Sequence, residues 1–397
     1  MMRRLPYGRQ LIEDDDIAAV TAVLRSDCLT TGPATTAFEA LLAETVAAPH
    51  AIACSSGTAA LHLAALALGL GPGDKVVVPT LTFLATANAA RYVGAEVVFA
   101  DVDAGTGLLT PATLAEALVR AGDGVKAVFP VHLNGQCCDM AAIAALARSH
   151  GLKIVEDACH ALGSRQHGQP TGACTFSDMA VFSFHPVKTV AMGEGGALTT
   201  RDDALAQALR RLRSHGMTRD PAEFLVPDQA FDAEGQPNPW YYEMAEPGFN
   251  YRASDIACAL GASQLAKLDR FMAVRTALVA AYDRALAPLA PLVRPLPRRL
   301  DCVPSWHVQV VKIDFATAGK SRAQVMRALL AEEILTQVHY LPVHRQPYYR
   351  HLSPGLSLPG ADGYYQSCLT LPLFVGMEES DVTRVCAALA RVLDISP

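Results

Sequence analysis

The chain has 397 residues, about half of them hydrophobic, and a formal charge of −6. That length supports two domains with sizeable cores, and no apolar stretch is long and clean enough to span a bilayer. The acidic balance excludes a general nucleic-acid binder, because phosphate backbones demand a basic surface, but it leaves room for a local cluster that holds a nucleotide.

At the N-terminus two arginines precede no apolar core, so no signal peptide is expected. Cys54-Ser55-Ser56-Gly57-Thr58 then leads into an alanine- and leucine-rich run through Leu68. Small hydroxyl residues at a helix start suit a phosphate, since the first-turn N–H groups are free and the dipole is positive there. An ordinary N-cap has the same look. Strand-like runs follow at 75–78, 95–99, 125–129 and 153–155, separated by helix-like stretches at 82–93, 111–120 and 139–149. Strands alternating with helices at this spacing predict an α/β fold with a parallel, buried sheet. The run at 153–155 continues into Glu156-Asp157, and in open α/β sheets ligands sit beyond the carboxyl ends of the strands. Asp157 would occupy that place, or would serve as a helix cap.

Further strands are predicted at Met179–Phe184 and Ala197–Thr200. Between them lies Phe182-Ser183-Phe184-His185-Pro186-Val187-Lys188-Thr189, then Glu194-Gly195-Gly196. A lysine in an apolar, aromatic run needs a partner for its nitrogen. A desolvated amine is a good Schiff-base nucleophile; a strand-end lysine reaching out to water gives the same pattern. Pyridoxal phosphate needs a lysine for its aldehyde and a carboxylate for its pyridine nitrogen. Phosphate cup, carboxylate and lysine occur here in one chain, each at an element end.

A helix is predicted at Ala204–Arg213. The proline-rich, acidic segment from about 217 to 248 carries Trp240-Tyr241-Tyr242 and reads as an ordered flap near the site. Helical patterns run from Ser254 to about Leu268 and on to about Leu286. Strands at Trp306–Phe315 and Leu335–Tyr340 and helices at Ser321–Glu332 and Glu378–Leu393 predict a smaller α+β domain. The division falls at 1–252 and 253–397. Ten cysteines without a C-x-x-C pair read as reduced, buried thiols of a cytoplasmic protein. His339 and His344 form an isolated pair, so no metal site is expected.

These segments together resemble the DegT/StrS-type sugar aminotransferases, from Leu29-Thr30-Thr31-Gly32-Pro33 to Leu371-Pro372-Leu373. Asp157–Ser164, His185–Lys188, Gly248–Arg252 and Gln337–His344 are most similar to the pseudaminic-acid branch, the UDP-sugar C4 aminotransferases. His160 stands where many members carry glutamine. The resemblance implies an aspartate aminotransferase-like, fold type I enzyme: a mostly parallel large domain, a smaller α+β C-terminal domain, and a homodimer with shared sites. It implies that Lys188 binds the pyridoxal phosphate aldehyde and moves the proton, while Asp157 pairs with the ring nitrogen. Ser56, Gly57, Thr58 and Ser183 would hold the phosphate, with Asn250 reaching it from the neighbouring subunit. Phe83 would stack on the ring and His160 would lie near it.

Tyr7, Asp27, Cys28, Leu29, Thr30, Gln337, Val338, His339 and Tyr340 would line the nucleotide-sugar pocket. Arg252 would meet an anionic group or sit in solvent. His185 is taken as structural or as a weak contact. The implied acceptor is a UDP-linked 4-keto-6-deoxy-N-acetylhexosamine and the implied donor glutamate. Perosamine-type and TDP-sugar enzymes share the pattern. Sugar 3-dehydratases of this fold typically carry histidine in place of the lysine, so Lys188 argues against that chemistry. Intact Lys188, Asp157 and Ser183 argue against a regulator that has lost catalysis.

Overall fold

Short runs of small and β-branched residues form the centre of the molecule. In the computed structural model, which describes residues 3–395, seven of them build one sheet. They are β1 (His50–Cys54), β2 (Lys75–Pro79), β3 (Glu96–Ala100), β4 (Val125–Val128), β5 (Lys153–Asp157), β6 (Met179–Ser183) and β7 (Gly196–Thr200), in the spatial order β1-β7-β6-β5-β4-β2-β3. The pairs from β3 across to β6 are parallel. β7 runs antiparallel to both β6 and β1. Val76, Val77, Val78, Val155, Met179 and Val181 are completely buried, as a sheet covered on both faces requires. The α/β fold with a mostly parallel sheet is therefore as expected. β1 escaped the sequence reading, because its five residues abut the alanine-rich helix that follows.

The covering helices start at recognisable caps. α1 (Asp14–Leu24) and α2 (Pro33–Val46) precede β1, and α3 (Gly57–Ala67) follows it, capped by the Ser56 hydroxyl. α4 (Leu84–Tyr92) and α5 (Pro111–Ala121) cross from β2 to β3 and from β3 to β4. α6 (Met140–Ser149) is capped by Asp139 and α7 (Asp203–Arg213) by Asp202. α8 (Asp255–Leu265) lies against α1 and α2. Its Asp255 carboxylate accepts from Gly32 N at 3.0 Å, Ala34 N at 3.3 Å and the Thr35 hydroxyl at 2.6 Å. One acid thus caps the start of α2 from another helix.

α9 (Leu268–Leu286) leads to a second, antiparallel sheet of Val293–Pro295, Gln309–Ile313 and Cys368–Leu371. That sheet shares a core with α9 and the helix Glu379–Val392, and Leu5 joins the same core. We propose that the chain divides near residue 252 into a larger and a smaller domain.

Two segments depart from the regular pattern. The segment from 217 to 248 is ordered around its own small cluster of Phe224, Phe231 and Tyr241. The Glu243 carboxylate holds it together by accepting from Leu225 N, Val226 N and the Tyr241 hydroxyl at 2.6–2.8 Å. The run 335–340 is not a strand. It makes a single bridge, Gln337 to Thr370, and the Gln337 side chain itself accepts from Val338 N at 2.8 Å. A local side-chain bond of this kind replaces the ladder bond a strand would need.

Candidate active site

The carboxyl ends of β5 and β6, the start of α3 and the loops before α4 and after β6 converge on a cavity of about 610 Å³. Segment 337–341 and His307 close it from the side of the smaller sheet.

Asp157 is the last residue of β5 and is buried. Its Oδ2 accepts from the Thr86 hydroxyl at 2.6 Å and its Oδ1 from Cys159 N at 3.1 Å. Thr82 and Thr86 hydroxyls lie 2.7 Å apart. Because Thr86 spends its one hydrogen on Asp157, Thr82 must donate to Thr86. The carboxylate is thus held at a fixed angle by a short hydroxyl relay. Burial together with Asp157 keeps Cys159 a neutral thiol, its pKa well above the ordinary value.

Lys188 sits in the loop between β6 and β7, with Val187 and His185 beside it on the cavity wall. Burial lowers its amine pKa below the ordinary 10.5, while the Asp157 carboxylate acts the other way. A neutral amine is the nucleophilic form.

Across the cavity, the first turn of α3 offers the Gly57 and Thr58 amides, which have no preceding turn to bond. Two glycines make the cradle. A Cβ on Gly57 would come within 2.8 Å of Ser183 Cβ, and one on Gly196 would lie 2.2 Å from the Ser56 carbonyl oxygen. Only glycine lets β7 pass this close to the start of α3. A helix N-terminus with a hydroxyl beside it, a fixed carboxylate and a depressed-pKa lysine around one cavity fit pyridoxal phosphate.

A histidine cluster forms the remaining wall. His160 Nδ1 accepts from Asn134 N at 3.4 Å, and its Nε2 lies 3.0 Å from the Tyr340 hydroxyl. The His307 ring is 4.3 Å from that of His160. His339 Nδ1 lies 2.8 Å from the Thr370 hydroxyl. Burial drives the pKa of all three down, that of His339 to about 3. They are neutral imidazoles.

The cavity is lined by Tyr7, Ser56, Gly57, Thr58, Phe83, Asp157, His160, Ser183, Lys188, Gln337, Val338, His339 and Tyr340, all singled out in the sequence. Asp27, Cys28, Leu29 and Thr30 are not brought to it. They form an exposed or half-exposed loop between α1 and α2, tied to α8 by Asp255 N donating to the Leu29 carbonyl at 3.0 Å. Asn250 is exposed and Arg252 half-buried, and neither lines the cavity of its own chain. Their segment runs beside the start of α3, where the Tyr251 carbonyl accepts from Ser55 N at 2.7 Å. No residue of the 217–248 segment reaches the cavity either.

Sequence reasoning missed Thr82, Thr86, Glu194, His307 and Gln346. Thr86 lies three residues after Phe83 in a helical pattern and carries no motif. His307 comes from a strand-like run of the smaller sheet, where a single histidine reads as core. Glu194 lies in the Glu194-Gly195-Gly196 turn, where the glycines signal only a turn.

Comparison with known proteins agrees with this architecture. Helicobacter pylori PseC, an aminotransferase involved in the biosynthesis of pseudaminic acid, superposes with a TM-score of 0.89 at 26% identity, covering 99% of this chain and all of that one. Spr1654 of Streptococcus pneumoniae, in its PLP-form, gives 0.86 at 26% identity, covering 99% of both chains. DesI, solved in the presence of its TDP-sugar product, gives 0.86 at 31% identity, covering 99% of this chain and 94% of that one. Residues 10–390 match a single family description. The chain belongs to the DegT/DnrJ/EryC1/StrS aminotransferase family, as a pyridoxal-phosphate-dependent nucleotide-sugar aminotransferase.

Proposed function

We propose that the enzyme transfers an amino group from glutamate to C4 of a UDP-linked 4-keto-6-deoxy-N-acetylhexosamine, in a pathway of the pseudaminic acid type. We place it in the cytoplasm as a homodimer with shared active sites. Ten free cysteines support the compartment, and no helix among the described residues is long and apolar enough to cross a membrane. The observation that carries the sugar assignment is His160, seated in the cavity and bonded to Tyr340, where many family members carry glutamine. The likeness to PseC supports the same branch.

The residues divide the work. Pyridoxal phosphate supplies an electron sink for a carbanion. Lys188 is the attachment point and, when its amine is free, the base that takes and returns the proton; such acid–base help contributes about 10²–10⁴-fold. Asp157, fixed by Thr86 and Cys159 N, keeps the ring nitrogen protonated. The α3 N-terminus with Ser56, Gly57, Thr58 and Ser183 binds the phosphate. Phe83 covers the ring face, and Asn250 of a second copy completes the phosphate site. Tyr7 and segment 337–340 receive the sugar, and Asp27–Thr30 and Arg252 serve the nucleotide across the dimer.

A second reading is the same chemistry on a TDP-sugar, favoured by the likeness to DesI. The test is to incubate the enzyme with glutamate and a panel of UDP- and TDP-linked 4-keto and 3-keto sugars, and to identify products by mass and NMR. A 4-amino UDP-sugar is expected. Amination of TDP-sugars alone, or at C3, overturns the assignment.

A further inference from the structure

We propose that Tyr340 donates a hydrogen bond to the ketone oxygen of the sugar, and that His160 is a positioning residue that aims this donor. The proposal rests on the reading of the cavity as a sugar aminotransferase site.

The hydrogen-bond ledger around His160 fixes the direction. Asn134 N is a donor 3.4 Å from His160 Nδ1, so that nitrogen must accept. A proton on Nδ1 would set two donors against each other in a buried place. The hydrogen of the neutral ring therefore sits on Nε2. From Nε2 it points to the Tyr340 oxygen 3.0 Å away. The Tyr340 oxygen is then an acceptor toward His160, and its own hydrogen has to go elsewhere. That oxygen makes no other hydrogen bond among the described residues. Tyr340 lines the cavity that contains Lys188, so the hydrogen is free to turn into that space.

The surroundings keep this arrangement in one state. Burial keeps the His160 ring neutral, and the nearby Lys188 and His339 act the same way. The His307 ring packs against His160, and its own Nδ1 is buried with no partner among the described residues. Burial holds the Tyr340 pKa well above 10, and Asp157 and Tyr7 nearby add to this. The hydroxyl thus remains a donor over the whole working pH range. Phe83, with its ring 6.2 Å from that of Tyr340, borders the same corner.

A ketone under attack by an amine accumulates negative charge on oxygen. A fixed donor aimed at that oxygen costs no reorganisation when the charge appears. Removing one such donor lowers the rate by about 10²–10³-fold.

The test uses the cofactor-loaded enzyme and follows its two half-reactions separately by stopped-flow absorbance. It uses glutamate for one and, for the other, the keto-sugar that the wild type accepts from the panel above. If that sugar is not UDP-linked, the sugar assignment fails and the comparison is still read on the sugar that works. In Tyr340→Phe the keto-sugar step is expected to slow by about 10²-fold more than the glutamate step, with the visible absorption maximum of the resting enzyme in place. His160→Leu should show the same bias in weaker form. His160→Gln carries an acceptor and a donor on one side-chain end and should recover part of it. Equal slowing of both steps, or slowing of neither, overturns the proposal. So does a shifted absorption maximum, which would assign the hydroxyl to the cofactor ring. Identical behaviour of His160→Leu and His160→Gln removes His160 from the positioning role.

Discussion

At the scale of single residues, the proposed chemistry depends on how Lys188 and Asp157 are held. Burial lowers the Lys188 pKa below 10.5, and the neutral amine is the reactive form. The rate at which cofactor-free enzyme combines with pyridoxal phosphate should therefore rise with pH and level off below pH 10.5, followed as visible absorbance. After borohydride reduction, mass spectrometry should find the pyridoxyl adduct on wild type and none on Lys188→Ala. Adduct elsewhere at equal yield would remove Lys188 from the attachment role. A second expectation concerns Thr86, whose 2.6 Å bond to Asp157 has no sequence signature. Thr86→Val keeps the shape and removes the donor, and a hydrogen bond to a charged group is worth about 1.5–3 kcal/mol. The glutamate half-reaction should slow by about tenfold or more, and Thr86→Ser should restore most of it. Lys188, Asp157 and the Ser56-Gly57-Thr58 turn were legible because each stands at an element end with its own local pattern. Thr86 and His307 were not. Their partners lie far away in sequence, and contacts of that kind are set by packing alone.

At the scale of elements, the sheet and most of its helices followed from periodicity, since buried parallel strands read as unbroken apolar runs. The reading failed at 335–340, where the apolar pattern gives no sign that Gln337 bonds its own neighbour. The link between α2 and α8 was equally invisible, because it depends on one acid crossing between helices far apart in sequence. Asp255→Ala would leave the amides of Gly32 and Ala34 and the Thr35 hydroxyl without their acceptor. An unmet donor costs about 1–3 kcal/mol when fully buried and less at these half-buried positions, and with three of them the cofactor-free variant should melt several degrees lower than wild type. Asp255→Asn keeps one acceptor oxygen and should fall between the two. An unchanged melting temperature in Asp255→Ala would show that the cap carries no weight.

At the scale of the whole molecule, several of the residues carried over from the family lie outside the cavity of their own chain. Asn250 is exposed, and Phe83, which does line the cavity, is 57% exposed. Leu29, Leu84, Tyr92, Tyr242 and Met244 are also exposed apolar side chains. We propose a two-fold contact that covers them and carries Asn250 into the neighbour's site. Lys188→Ala and Asn250→Ala subunits, co-expressed with different tags and purified as a heterodimer, should then regain activity near half of wild type. One site in such a pair carries both defects and the other carries neither. Activity no better than the mean of the two mutant homodimers would place Asn250 outside the partner's site. The sheet topology has a last consequence. Because β7 returns antiparallel beside β6, the loop carrying Lys188 leaves and re-enters the sheet at one neck, pinned where Phe184 N donates to the Gly195 carbonyl and Met192 N to the Phe184 carbonyl, both at 2.9 Å. The amine is a tethered reagent. Whatever else occupies the cavity, it stays within the same small volume at a high effective concentration, and its return to that spot carries little entropic cost.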